Sequence, residues 1–174
     1  MHRRDVVAGV LVVATAGCVD RIHDVAASTP RDVDVRSHSV DGDPFVESES
    51  IVSAPEGTAT NAKSFTGTST AEAALTDGVE PAVRSFVSET TFVDDGGGTV
   101  LVATQRLAPP SIDLRLGSVI RTGRHALRIA VDEVGTPTGE DPVVRTLLVR
   151  VADDRGPPER VTVSVGGDRS SVTV

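Results

Sequence analysis

The chain has 174 residues and a formal net charge of −8, from 17 basic and 25 acidic side chains. That balance excludes a nucleic-acid binder working through a basic surface, because a phosphate backbone must be met by clustered Lys and Arg. One cysteine excludes an internal disulfide, and the length fits a single domain of ordinary size.

The first element in chain order is "RRDVVAGVLVVATAGC", residues 3–18. Its apolar stretch, Val6 to Ala16, is interrupted only by Gly9 and Thr15. Crossing a bilayer takes about 20 apolar residues, so this run is too short for a permanent span. It also lacks the polar stripe of a surface helix. A basic start, a short apolar middle and the small residues Ala16 and Gly17 predict a secretory signal peptide over residues 1–17. The pair Arg3 and Arg4 resembles a twin-arginine export signal. Thr15-Ala16-Gly17-Cys18 resembles a lipobox, although Thr15 stands where a bulky apolar residue is usual. Cys18, the one cysteine, is the expected lipidation site, and a leftover cysteine in an exported chain needs such an explanation. The chain is thereby expected at the extracytoplasmic face of the cell membrane, anchored through lipid on Cys18.

Cleavage before Cys18 removes Arg3, Arg4 and Asp5 and leaves 15 basic and 24 acidic residues, a net charge of −9. The basic residues are one lysine, Lys63, and sixteen arginines, and there is no Tyr or Trp. An acidic, lysine-poor chain with a Val, Leu and Ala core resembles proteins of salt-loving archaea. High salt screens repulsion among carboxylates and strengthens burial of small apolar groups. A high-GC genome produces the same Arg and Val excess.

Residues 18–32 end in turn formers and are expected to be a lipidated tether. From Val33 the alternation in "VDVRSHSV" predicts a strand, and "FVESESIV", Phe45 to Val52, predicts a second after the turn at Asp41-Gly42-Asp43-Pro44. Residues 56–78 hold eight Ser or Thr and few large apolar groups, so an exposed loop is expected there, with at most a helical turn at Thr70 to Leu75. "VEPAVRSFVSET" fits helix or strand. Pro81 suits a first helical turn, and Val83, Phe86 and Val87 fall at i, i+3 and i+4, which predicts a short helix.

Further on, short segments rich in β-branched residues alternate with turn signals. They are Thr99 to Leu107, Ile112 to Arg121, His125 to Val134, Val143 to Ala152, Arg160 to Val165 and Ser171 to Val174. Their spacing predicts an all-β fold, a mainly antiparallel, immunoglobulin-like β-sandwich over residues 33–174 with at most one or two short helices. Leu127, Ile129 and Val131 are expected to face the core, with Arg128 and Asp132 outward.

No catalytic signature is present: neither a Gly-x-Ser-x-Gly elbow nor a His-Glu-x-x-His zinc motif occurs. A lipidated Cys18 has no thiolate to offer as a nucleophile. His23, His38 and His125 read as solvated side chains, and Gly96-Gly97-Gly98, lacking the Lys-Ser/Thr ending of a phosphate loop, reads as a turn. Acidic pairs recur at Asp94-Asp95, Asp132-Glu133, Glu140-Asp141 and Asp153-Asp154. Calcium and glycoside chemistry both use such oxygens, but there is no calcium loop of alternating Asp or Asn, and the pairs fall at strand ends, where carboxylates solvate turns. Neither an enzyme, a metal site nor a cofactor is expected.

The stretch Phe86 to Val151 resembles uncharacterised lipoproteins of haloarchaea. More distantly it is similar to the C-terminal domain of a bacterial lipoprotein that associates with a protease complex. Thr99 to Leu107, Ile112 to Val134, Pro137 and Val143 to Val151 follow that domain's order of strand, hairpin, proline and strand. Its Gly-Gly-Tyr turn is replaced by Pro110-Ser111-Ile112. The resemblance implies a small β-sandwich used for association, with no active residues carried over. The expected function is a non-catalytic protein-interaction module at the cell surface, with exposed edges or loops meeting an envelope protein such as a protease. The alternative is a solute- or cation-binding lipoprotein using Asp132, Glu133, Glu140 and Asp141.

Overall fold

Leu127, Ile129 and Val131 alternate with Arg128 and Asp132, and in the computed structural model, which describes residues 29–55 and 58–174, the first three are buried. The period of two is the strand's own, since successive side chains leave opposite faces. Strands β1 (Val33–Asp41), β2 (Thr60–Phe65), β3 (Thr99–Ala108) and β6 (Val143–Asp153) form one sheet in the order β1-β6-β3-β2. Strands β4 (Asp113–Gly123), β5 (Ala126–Val134), β7 (Arg160–Val165) and β8 (Asp168–Thr173) form a second in the order β4-β5-β7-β8. Helices α1 (Thr68–Ala73) and α2 (Pro81–Ser88) complete the regular structure. The expected mostly-β sandwich with two short helices is present at this level. All neighbours pair antiparallel except β5 and β7, which are parallel.

The space between the sheets is filled by small branched residues. Val100, Val102, Leu147, Val149 and Val151 of the first sheet meet Leu114, Val119, Leu127, Ile129, Val161 and Val163 of the second. Each such side chain contributes about 1.5–3 kcal/mol when fully buried. A second core lies on the other side of the first sheet. There Leu101, Ala103 and Leu148 pack beneath Val83 and Val87 of α2, Ala71 of α1 and Phe92. The first sheet is therefore covered on both faces, and β3 is buried continuously from Val100 to Gln105.

Two expectations for the first half are corrected. Phe45 to Val52 is not a strand. It holds two 3-10 turns, Glu47–Glu49 and Ile51–Ser53, while Phe45 makes an isolated bridge with Leu75. Side-chain bonds outcompete a ladder there. The Asp43 carboxylate accepts from the Phe45 N–H (3.0 Å), the Ser50 hydroxyl and Gln105 Nε2 (2.7 Å), and Gln105 Oε1 accepts from the Ile51 N–H (2.8 Å). Nor is residues 56–78 mainly an exposed loop: it contains β2 and α1. Ala62 and Phe65 of β2, and Ala71, Ala74 and Leu75 around α1, are buried. Small side chains suffice because the elements approach closely.

The glycine triplet is a turn, as expected. Gly96 has φ +84° and the Gly97 N–H donates to the Phe92 carbonyl at 2.7 Å. A Cβ on Gly97 would stand 2.1 Å from the Thr91 carbonyl oxygen. Gly97→Ala is therefore expected to cost about 2 kcal/mol, because backbone must move to admit it. Chemical denaturation checks this, with Gly98→Ala as the control, since no atom lies within 4 Å of a Cβ there.

Candidate functional site

Cys18, Arg3 and Arg4 lie outside the described residues. The acidic pairs are described, and most of their carboxylates hold the fold together. The Asp95 carboxylate accepts from the Thr68 N–H (2.7 Å) and hydroxyl (2.6 Å), capping α1, whose N-cap residue Gly67 has no side chain to do so. These bonds from Thr68 hold the Asp95 carboxyl below its ordinary pKa. Asp94 accepts from the Thr66 hydroxyl at 2.6 Å. Glu133 accepts from Arg106 at 2.6 Å, and Arg106 reaches Asp168 and Thr60 as well, joining β3 to the second sheet. Glu140 accepts from the Thr138 hydroxyl at 2.6 Å. No group of three or more acidic, His or Cys side chains placed to hold a metal ion, from Asp132, Glu133, Glu140 and Asp141 or any others, occurs among the described residues. His38 stacks on Phe86, ring centres 5.5 Å apart.

Two surface features carry chemistry that the sequence reading did not anticipate. The first is a polar cleft of about 200 Å³ on the outer face of the first sheet, lined by Asp34, Arg36, Glu89, Thr91, Thr99 and Arg150 among others. Register puts Arg36 directly opposite Arg150, an arrangement that is unfavourable for like charges. Arg150 is held where it is by the carbonyl of Phe86, to which it donates, and by the Phe86 ring, 4.0 Å beneath it. Burial lowers the Arg150 pKa from its ordinary value; Glu89 at 3.8 Å offsets part of this and Arg36 adds to it.

The second feature is the outer face of the second sheet. Leu114, Leu116, Val119, Leu127, Ile129, Val131, Val161, Val163, Val165 and Val172 turn inward, so the alternate positions face solvent. Those positions are mostly small or polar: Ser118, Ala130, Ser164, Thr162 and Ser171. Arg115, Arg128, Arg160 and Arg169 stand among them with Ile120, which is 41% exposed. Gly117 forms a bulge in β4, and the Asp132 carboxylate sits where a Gly117 side chain would be, 2.6 Å from an added Cβ. Alternation in β5 already placed Arg128 and Asp132 outward. The other arginines become one surface only through strand order, which periodicity does not encode.

No family model, curated protein or solved structure matches this chain.

Proposed function

We propose that the protein is an exported lipoprotein, held through lipid on Cys18 at the extracytoplasmic face of the cell membrane, and that its sandwich is a non-catalytic protein-interaction module. The observation that carries the module reading is the unequal covering of the two sheets. The first sheet is packed on both faces except at the polar cleft beside Arg36 and Arg150, whereas the outer face of the second carries no helix among the described residues. A sheet face that bears arginines and an exposed isoleucine has the composition of contact surfaces, where Arg is enriched. The export route and anchor rest on Arg3, Arg4 and the lipobox-like Thr15 to Cys18. The salt-loving archaeal origin rests on composition and on the resemblance to haloarchaeal lipoproteins. An immunoglobulin-like connectivity is the finer reading of the sandwich. The chain changes sheet between β3 and β4, β5 and β6, and β6 and β7, as Greek-key sandwiches do, and the parallel β5–β7 neighbour is a departure from that pattern.

Cys18→Ser is expected to release the protein from the membrane fraction into the exported soluble fraction. Retention at the wild-type level would sink the anchor. Chemical cross-linking on intact cells is expected to capture an envelope protein, with a protease component the candidate implied by the distant bacterial resemblance. Cation binding through Asp132, Glu133, Glu140 and Asp141 is the second reading, and it rests on the sequence alone. Calcium distinguishes the two: under the module reading it leaves the melting temperature unchanged, and under the cation reading it raises it.

A further inference from the structure

The outer face of the second sheet is basic on an acidic chain. Arg115, Arg128, Arg160 and Arg169 face one carboxylate, Asp132, while the chain as a whole has a net charge of −8. Three neighbouring acids are committed elsewhere, and Asp132 remains on the face. Asp113 turns to Arg145 of the first sheet at 3.7 Å, Asp168 and Glu133 to Arg106, and Asp132 sits over Gly117. At the rim, Glu159 lines a cleft with both Arg124 and Arg160. None of the four arginines makes an ion pair with a described carboxylate, and by contrast Arg106, Arg121, Arg145, Arg150 and Arg155 all do. Arg128 is half-buried, and its Nε is enclosed without a hydrogen-bond partner.

Geometry makes two of these arginines a clamp. Ala130 lies beside Ser164, and Ser164 beside Arg169, across β5, β7 and β8. These small side chains and the Gly166-Gly167 turn line a cleft of about 300 Å³ together with Arg128, Arg169 and the single carboxylate Asp132. Ile120, the cross-strand partner of Arg128, gives an apolar contact next to it.

We propose that this face receives an acidic, extended segment of a partner protein, with Arg128 and Arg169 binding its carboxylates and Arg115 and Arg160 flanking them. The inference rests on the interaction-module reading and names the partner's chemistry. Arginine suits the task because its planar fork binds a carboxylate through two parallel hydrogen bonds, and such contacts act at touching distance. That matters in concentrated salt: at about 1 M the screening length is only ~3 Å, so long-range attraction is lost and direct pairs remain.

The test uses the full chain, purified in detergent, and fluorescein-labelled decaglutamate as probe. Wild-type protein is expected to bind it, and Arg128→Gln/Arg169→Gln to weaken binding by about tenfold or more. Arg31→Gln/Arg84→Gln removes the same charge from other surfaces and is expected to change affinity less than about twofold. Equal weakening in both double variants means attraction to bulk charge and overturns the proposal, as does a wild type that does not bind. A photo-cross-linker at Ser171 on intact cells separates this failure from that of the broader reading. A protein adduct that disappears in Arg128→Gln/Arg169→Gln and maps to an acidic segment supports the proposal. A protein adduct undiminished by that variant overturns the acidic segment and leaves the interaction module standing. An adduct with an anionic polysaccharide, or none, overturns both for this face.

Discussion

Arg121→Ala is expected to destabilise the domain by about 3 kcal/mol or more, read by urea denaturation at neutral pH, because it strands a buried charge. The Asp153 side chain has no exposed surface. Its two oxygens accept from Arg121 Nη1 at 2.8 Å and Nη2 at 2.9 Å, and the backbone N–H of Arg155 adds a third bond at 3.0 Å. Asp153 ends β6 in the first sheet and Arg121 lies near the end of β4 in the second, so the fork ties the sheets together at one end. Asp32, which immediately precedes β1, joins at 3.2 Å from Arg121 and also pairs with Arg155. Replacing both partners of the buried pair by apolar residues, as in Arg121→Met/Asp153→Leu, is expected to cost less than Arg121→Ala alone. A loss below about 1 kcal/mol for Arg121→Ala would mean that the carboxylate finds other donors.

The same pair sets an acid sensitivity. Hydrogen bonds from Arg121 hold the Asp153 carboxyl below its ordinary pKa against the opposing effect of burial, with help from the Arg155 backbone and the charges of both arginines. A carboxyl whose folded pKa is depressed stabilises the fold fully above its unfolded value, near 3.9. That contribution is lost as pH falls from there through the folded value. Arg121→Ala removes the largest cause of the depression and leaves the smaller contributions of Arg155. The melting temperatures of wild type and variant should therefore converge on acidification, and a gap that stays constant with pH would assign the pair no linked proton.

What was legible in the sequence followed from how each element is covered. Strands β4, β5, β7 and β8 face the core on one side and solvent on the other, so their alternation and turn residues are readable, whereas β6 is packed on both sides. Strand β3 was recognised by its β-branched content, but Leu101 and Ala103 beside Val100 and Val102 hide the period because both faces are packed. Phe45 and Ile51 are the buried anchors of a segment whose backbone is held by Asp43, Ser50 and Gln105, and Gln105 is 54 residues from its partner Ile51. No local pattern reports such a bond. Strand β2 carries only Ala62 and Phe65 into the two cores, so its Thr, Asn and Ser gave the signature of a loop. The candidate site was the least legible part. The acidic pairs stood out by adjacency, yet the bonds that give several of them a role run 27 or 32 residues along the chain, from Thr68 to Asp95 and from Arg121 to Asp153. The arginines of the open face stood out only at Arg128, since the rest are collected by strand order.

Phe92→Ala is expected to cost about 3–5 kcal/mol, and its importance lies in what it says about the open face. Phe92 is fully buried and packs with Val83 and Val87 of α2 and with Leu101, Ala103 and Leu148 on the outer face of the first sheet. If the helical layer is integral, the variant unfolds in a single transition at lower denaturant, with unchanged slope, as a two-state domain does. Val52→Ser, at a side chain 69% exposed, is the control and should fall within about 0.5 kcal/mol of wild type. Two separate transitions, the first accompanied by binding of a dye to newly exposed apolar surface, would show that the helices detach on their own. The first sheet would then have a face that can be uncovered, apolar where the second sheet's is basic. The asymmetry that singles out Arg128 and Arg169 would hold only for the closed form. A single transition keeps that asymmetry fixed for as long as the domain is folded, and leaves the second sheet as the one open to a partner.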